Sequence, residues 1–262
     1  MNKLDEILSV KRREVEQRKK LITVQQLEKS VFFQRSPISF TGRFNQLSTP
    51  GIIAEFKRKS PSKGVINQTA DVVKVAGAYL DAGAVGVSIL TDIQYFGGTF
   101  NDIISVRQAI DCAVLRKDFI VDEYQIIESK SVGADMILLI AACLSSDEAG
   151  RYYMLAHSLG LEVLFEVHNE EELQKCGKNA DLIGVNNRNL KTFKVDTEIS
   201  YRLIEKIPVD KIAVSESGLS RPDEISKLYA AGYKGFLIGG YFMQFDDPGK
   251  ACFEFISQIQ KV

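Results

Sequence analysis

MILLIAACLSSDEAGRYYMLAHSLGLEVLFEV, residues 136 to 167, carries the pattern that decides the fold. MILLIAA (136–142) is an unbroken apolar run, SSDEAGRYYMLAHSLG (145–160) is an amphipathic stretch stopped by glycine, and EVLFEV (162–167) is a second apolar run. Continuous rather than alternating apolar strands are buried on both faces, as in a parallel sheet covered by helices. A helix joining two such strands is the repeating unit of an α/β fold.

Outward from this stretch the unit recurs every 20 to 35 residues or so. Further strands are expected at IIAEFK (52–57), VGVSIL (85–90), AVLRKD (113–118), LIGVNN (182–187), KIAVSE (211–216) and FLIGG (236–240), with helices at 71–83 and 221–232 among those between them. Eight parallel units predict a closed (β/α)8 TIM barrel. A GxGxxG after the first strand, which would suggest an open dinucleotide-binding sheet, is missing. The 262 residues match the roughly 250 typical of one such barrel, so residues 1–262 are read as a single domain. Residues 1–50 form an extension of extra helices: Leu4, Ile7, Leu8 and Val15 fall at helical spacing, and a second amphipathic piece lies near 24–33.

Lys and Arg number 33 against 34 Asp and Glu, which leaves no global basic field for a nucleic acid or an anionic membrane surface. Hydrophobic residues make up 45% and charged residues 26%, the balance of a globular protein with a large core. Cys112, Cys143, Cys176 and Cys252 form no CxxC pair, and His157 and His168 are the only imidazoles; no set has the spacing of a metal site. The charged start MNKLDEILSVKRREVEQRKK lacks the apolar core of a secretory signal. A cytoplasmic protein without metal or organic cofactor is expected.

Active sites of (β/α)8 barrels lie at the C-terminal ends of the strands. Polar residues crowd there: Glu55, Lys57 and Ser60 after strand 1, Arg116, Lys117 and Asp118 after strand 3, Glu166 and His168 after strand 5, Asn186, Asn187 and Arg188 after strand 6, Glu216 and Ser217 after strand 7. Singly, each is most simply a solvated loop charge. Glu55 and Lys57, two apart, share one strand face, and opposite charges inside an apolar strand are costly unless paired or used. Lys117 ends an apolar run and reads as an unpaired charge whose loss would disturb folding little. Gly218 after strand 7, with Gly239 and Gly240 after strand 8, occupies the two loops that often bind phosphate through backbone N–H groups.

The segments KRKSPSKG (57–64), LRKDF (115–119) and NNRNLKTF (186–193), in this order and with VSESGLS (214–220), make the chain resemble the indole-3-glycerol-phosphate synthases of tryptophan biosynthesis through almost its whole length. The resemblance implies a lyase that closes an indole ring. It converts 1-(2-carboxyphenylamino)-1-deoxyribulose 5-phosphate to indole-3-glycerol phosphate, carbon dioxide and water without a cofactor. It also implies roles. Lys117 is the general acid for ring closure and Glu166 the carboxylate assisting dehydration, while Lys57, held by Glu55, contacts the substrate and acts as acid for hydroxide loss. Asn186 and Ser217 support catalysis, Glu216 contacts substrate, Ser60 and Arg188 lie near its carboxylate, and Phe96, Phe119 and Leu190 line the aryl pocket. Gly218, Gly239 and Gly240 bind the phosphate. Two stretches depart from the family pattern: Cys112 and Ala113 stand where a proline is common, and Tyr241 and Phe242 follow the glycine pair. Two rivals stay open: a Schiff-base aldolase or decarboxylase using Lys57 or Lys117, and a barrel that binds phosphate without catalysis.

Overall fold

The computed structural model describes residues 3–176 and 179–259. Eight parallel strands close into a barrel: β1 Gly51–Phe56, β2 Gly86–Leu90, β3 Val114–Lys117, β4 Met136–Ile140, β5 Glu162–Val167, β6 Leu182–Asn186, β7 Ile212–Glu216 and β8 Gly235–Ile238. Each strand pairs with its sequence neighbours, and β1 closes the ring by pairing with β8, Gly51 opposite Gly235. The (β/α)8 expectation is correct, and each expected strand lies within two residues of its observed bounds. The differences fall at strand ends. Ala141 leaves β4 for a 3-10 turn, Ala141–Cys143, and Gly239 and Gly240 already belong to the turn after β8.

Because side chains alternate along a strand, each strand feeds two cores. Ile52, Ala54, Val114, Leu139, Val163 and Phe236 face outward into the layer of helices. Ile53, Leu115, Leu138, Leu164, Val214 and Leu237 face inward and fill the barrel. The inward set fixes the site, since two residues beyond each inward apolar residue the chain reaches the barrel mouth with the same facing: Ile53 leads to Glu55, Leu115 to Lys117, Leu164 to Glu166 and Val214 to Glu216.

The N-terminal extension serves both ends of the barrel. Phe40 and Phe44, on the helix Phe40–Asn45, are buried among the inward residues at the bottom. The first helix, Lys3–Leu21, buries Leu4, Ile7, Lys11 and Val15 on one stripe. Lys11 is the exception to an apolar stripe, with its ammonium 2.8 Å from Asp92 after β2 and 3.0 Å from Asp118 after β3. Those partners fasten the helix over the C-terminal end of the strands. Arg18 to Glu128 at 2.8 Å and Lys19 to Asp122 at 2.5 Å continue the attachment. Within the amphipathic piece expected near 24–33, a single helical turn forms, Val24–Leu27, started by a capping box at Thr23.

Candidate active site

A cavity of about 550 Å³ opens at the C-terminal ends of the strands. At its floor the Lys117 ammonium lies 2.9 Å from Glu166 Oε2 and 3.2 Å from Glu216 Oε2. Both carboxylates are 1% exposed, so the lysine has two buried counter-charges. This corrects the reading of Lys117 as unpaired: the apolar run shows only its own strand, whereas the partners arrive from β5 and β7. Lys57 donates to Glu55 Oε1 at 2.5 Å on the β1 side of the same cavity.

Room for this cluster comes from a missing side chain. Gly184, in mid-strand on β6, sits where a Cβ would fall 2.2 Å from Glu216 Oε1. A glycine inside a strand weakens it and marks such a close approach. Glu216 Oε1 has no hydrogen-bond partner, and the Asn186 side chain hydrogen-bonds Glu166.

The electrostatics follow from burial against neighbouring charge. Burial disfavours the Lys117 ammonium, but Glu166, Glu216 and Glu55 outweigh it and hold the lysine protonated well above its ordinary range. For Glu216, burial together with the neighbouring Glu166 and Glu55 charges exceeds the help of Lys117, and its carboxyl is raised to about 7. Glu166 experiences the same burial, yet Lys117, His168 and Asn186 bring it below the usual carboxylate range. A firmly protonated lysine therefore sits between one ionised carboxylate and one that titrates near neutrality.

Around this floor the other expected residues share one cavity. Phe96, at the end of the short helix Ile93–Phe96, and Phe119, after β3, have ring centroids 6.3 Å apart, and both line the cavity with Leu190. Ser60 lies on a small hairpin, Lys59–Ser60 against Gly64–Val65, and its hydroxyl accepts from the Lys63 N–H at 3.2 Å. Arg188 lines the cavity with Nη1 donating to the Phe193 carbonyl at 3.0 Å; burial lowers its pKa, opposed by Glu55.

Ser217 and Gly218 both have left-handed backbone, φ 68° and 79°, a conformation a serine adopts only where its surroundings impose it. The Asn187 amide supplies part of that imposition by donating to the Ser217 carbonyl and to Ser215 Oγ, both at 3.1 Å. Gly239 and Gly240 line the cavity after the neighbouring strand β8, and a Cβ on Gly240 would lie 3.8 Å from Lys57 Nζ. The departure beyond them reaches the site: Tyr241 lines the cavity and packs its ring against Phe242, Phe245 and Phe255.

Not every polar strand end belongs to the site. Arg116 flanks Lys117 but faces the helices, while Asp118 borders the cavity with its carboxylate taken up by Lys11, Thr91 and Arg116. Arg116, fully buried, donates to Asp118 at 3.1 Å and to Glu128 at 3.0 Å. Sequence reasoning missed the reverse case, Leu4 and Ile7 of the N-terminal helix, which line the cavity. Their signal was present in the helical stripe, but nothing local places that helix over the mouth.

The family described as Indole-3-glycerol phosphate synthase matches residues 4–255. The chain belongs to the indole-3-glycerol phosphate synthase family. An Indole-3-glycerol phosphate synthase of Bacteroides thetaiotaomicron is 46% identical over 258 residues, covering 98% of both chains. One from Caldanaerobacter subterraneus is 44% identical over 245 residues, covering 93% of this chain and 94% of the relative. Membership makes the chain a decarboxylating lyase of amino-acid biosynthesis. Solved structures agree on the barrel alone. Tryptophan synthase subunit alpha from Legionella pneumophila aligns with TM-score 0.62 at 12% identity over 85% of this chain and 97% of that one. Thiamine phosphate pyrophosphorylase from Pyrococcus furiosus aligns with TM-score 0.61 at 15% identity, over 85% and 98%. Among the described residues no helix is long and apolar enough to cross a membrane.

Proposed function

We propose that the cavity takes 1-(2-carboxyphenylamino)-1-deoxyribulose 5-phosphate and converts it to indole-3-glycerol phosphate, releasing carbon dioxide and water. The observation that carries this reading is the Lys117 ammonium held between two buried carboxylates at the cavity floor. Ring closure needs an acid at the ribulose carbonyl oxygen when the ring carbon attacks, and a cation that stabilises the oxygen as charge develops there. Lys117 supplies both. Loss of the ring carboxylate as carbon dioxide restores the electron pair that the attack withdrew.

Dehydration then removes a proton from the ring methylene, the former C1 of the sugar, and the hydroxyl on the carbon joined in ring closure, which makes the indole double bond and leaves the N–H in place. Glu166, ionised beside Lys117, is the base. Lys57, fixed by Glu55, is the acid that lets the hydroxyl leave as water. Glu216, balanced near neutrality, passes protons between turns, with Asn186 and Ser217 keeping the carboxylates and the strained turn in place. The aryl group lies between Phe96, Phe119 and Leu190, with its carboxylate toward Arg188 and Ser60. The phosphate meets the backbone at Gly218, Gly239 and Gly240, with Lys57 close by. The reading places the enzyme in the cytoplasm, where its four free cysteines stay reduced.

Given this substrate, the purified chain should form an indole chromophore. Borohydride added during turnover should leave Lys57 and Lys117 unmodified, as expected of acids that form no covalent intermediate. A reduced substrate adduct on either lysine would move the assignment to a Schiff-base aldolase.

A further inference from the structure

His168 lies two residues beyond Glu166, on the loop leaving β5, and its ring is buried behind the carboxylate rather than in the cavity wall. Its Nδ1 is 2.9 Å from Glu172 Oε2, and its backbone N–H donates to that same oxygen at 2.9 Å. Glu172, on the helix Glu170–Cys176, is fixed in turn by Asn169, whose amide donates to Oε1 at 3.1 Å. The other ring nitrogen, Nε2, is buried without a hydrogen-bond partner and faces Glu166 Oε1 at 3.6 Å.

These contacts constrain the protons on the ring. Glu172 is an acceptor, so Nδ1 carries a hydrogen. A neutral ring would then aim the Nε2 lone pair at a carboxylate oxygen inside the protein, an unpaired and repulsive arrangement. A proton on Nε2 converts it into an attraction.

We propose that His168 is an imidazolium, anchored by Glu172, that grips the second oxygen of Glu166 and positions this carboxylate for its step. Glu166 thereby has a cation on each oxygen, Lys117 on Oε2 and His168 beside Oε1. When the Lys117 proton moves to substrate, Oε2 faces a neutral amine instead of a cation, while His168 still supplies the charge that keeps the group in place and ionised. Burial opposes the charge on the ring, but Glu172, Glu166 and Glu216 outweigh it, so the imidazole is raised above its ordinary value. Also facing this corner are Lys117, Lys175 on the helix of Glu172, Arg12 on the first helix, and the Cys143 thiol, which burial and the two glutamates keep neutral. The inference rests on the reading of Glu166 as the base that works on substrate.

His157 and His168 are the two imidazoles of the chain, so ring-nitrogen NMR reads them directly. The His168 midpoint should lie above the usual value of about 6.5. Glu172→Gln, which keeps shape and acceptor but removes the charge, should lower that midpoint by about one unit or more. In kinetics, Glu172→Gln and His168→Phe should each lower kcat about tenfold or more with KM little changed. The acid limb of the kcat profile should move to higher pH, because Glu166 is more easily protonated without its second cation. A structural role would not move that limb. A His168 midpoint at or below the usual value, or an unmoved acid limb with kcat kept in Glu172→Gln, overturns the proposal. The NMR titration does not depend on turnover, so an inactive wild-type chain would count against the proposed reaction and not against the charge on His168.

Discussion

Replacing Lys117 with methionine removes the ammonium but keeps the length and apolar stem, and the structure sets two separate consequences. The first is catalytic. A proton donor used only as the ring closes should affect turnover more than binding, and general acid catalysis contributes about 10²- to 10⁴-fold, so kcat should fall by that much with KM little altered. The second is structural. Glu166 and Glu216, each 1% exposed, lose the charge at 2.9 and 3.2 Å that holds them, and breaking a buried pair costs about 3–5 kcal/mol. At about 2–4 °C per kcal/mol for a chain of this size, the melting temperature at pH 8 should drop by roughly 6–20 °C. Protonation limits the loss. Glu216 is already raised to about 7, above the unfolded value of about 4.3, so its folded form binds more protons and stability falls as pH rises through that window. Without Lys117 the carboxyl rises further. The mutant's deficit should therefore be largest at pH 8 and shrink toward pH 5. Lys117→Met combined with Glu216→Gln should recover much of the stability at pH 8 and none of the activity. Turnover of Lys117→Met within tenfold of the parent, measured by indole fluorescence, or an unchanged melting temperature at pH 8, would refute the reasoning.

Lys11→Met should cost about 3–5 kcal/mol, read as a lower guanidinium midpoint, because Asp92 and Asp118 lose a buried partner; KM should rise as well, since the same helix carries Leu4 and Ile7 into the cavity wall. Inorganic phosphate should compete with substrate for the turn at Gly218, Gly239 and Gly240, and purely non-competitive inhibition would contradict that placement. Exhaustive chelation should leave activity unchanged, and a loss restored only by added zinc or magnesium would contradict an acid–base mechanism built from lysines and carboxylates.

The barrel was legible because eight continuous apolar runs at regular spacing admit few other folds. The site was legible through parity: Glu55, Lys57, Lys117, Glu166 and Glu216 continue the inward series of their strands, and inward positions at the mouth converge whatever the loops do. What stayed hidden depends on contacts between distant segments. Lys117 reads as solitary until β5 and β7 bring Glu166 and Glu216 to it. Lys11 reads as one charge among many in a basic helix until Asp92 and Asp118 enclose it. Arg116 looks like a site residue by position, yet its parity turns it toward the helices. His168 has the inward parity of Glu166, and only the path of the helix after β5 puts Glu172 against its ring.

The most direct measurement uses 1-(2-carboxyphenylamino)-1-deoxyribulose 5-phosphate labelled with carbon-13 in its ring carboxylate, given to the purified chain without added metal. Indole fluorescence should rise as labelled carbon dioxide is released, one molecule for each indole formed. Indole without carbon dioxide, carbon dioxide without indole, or neither from a folded chain would contradict the assignment.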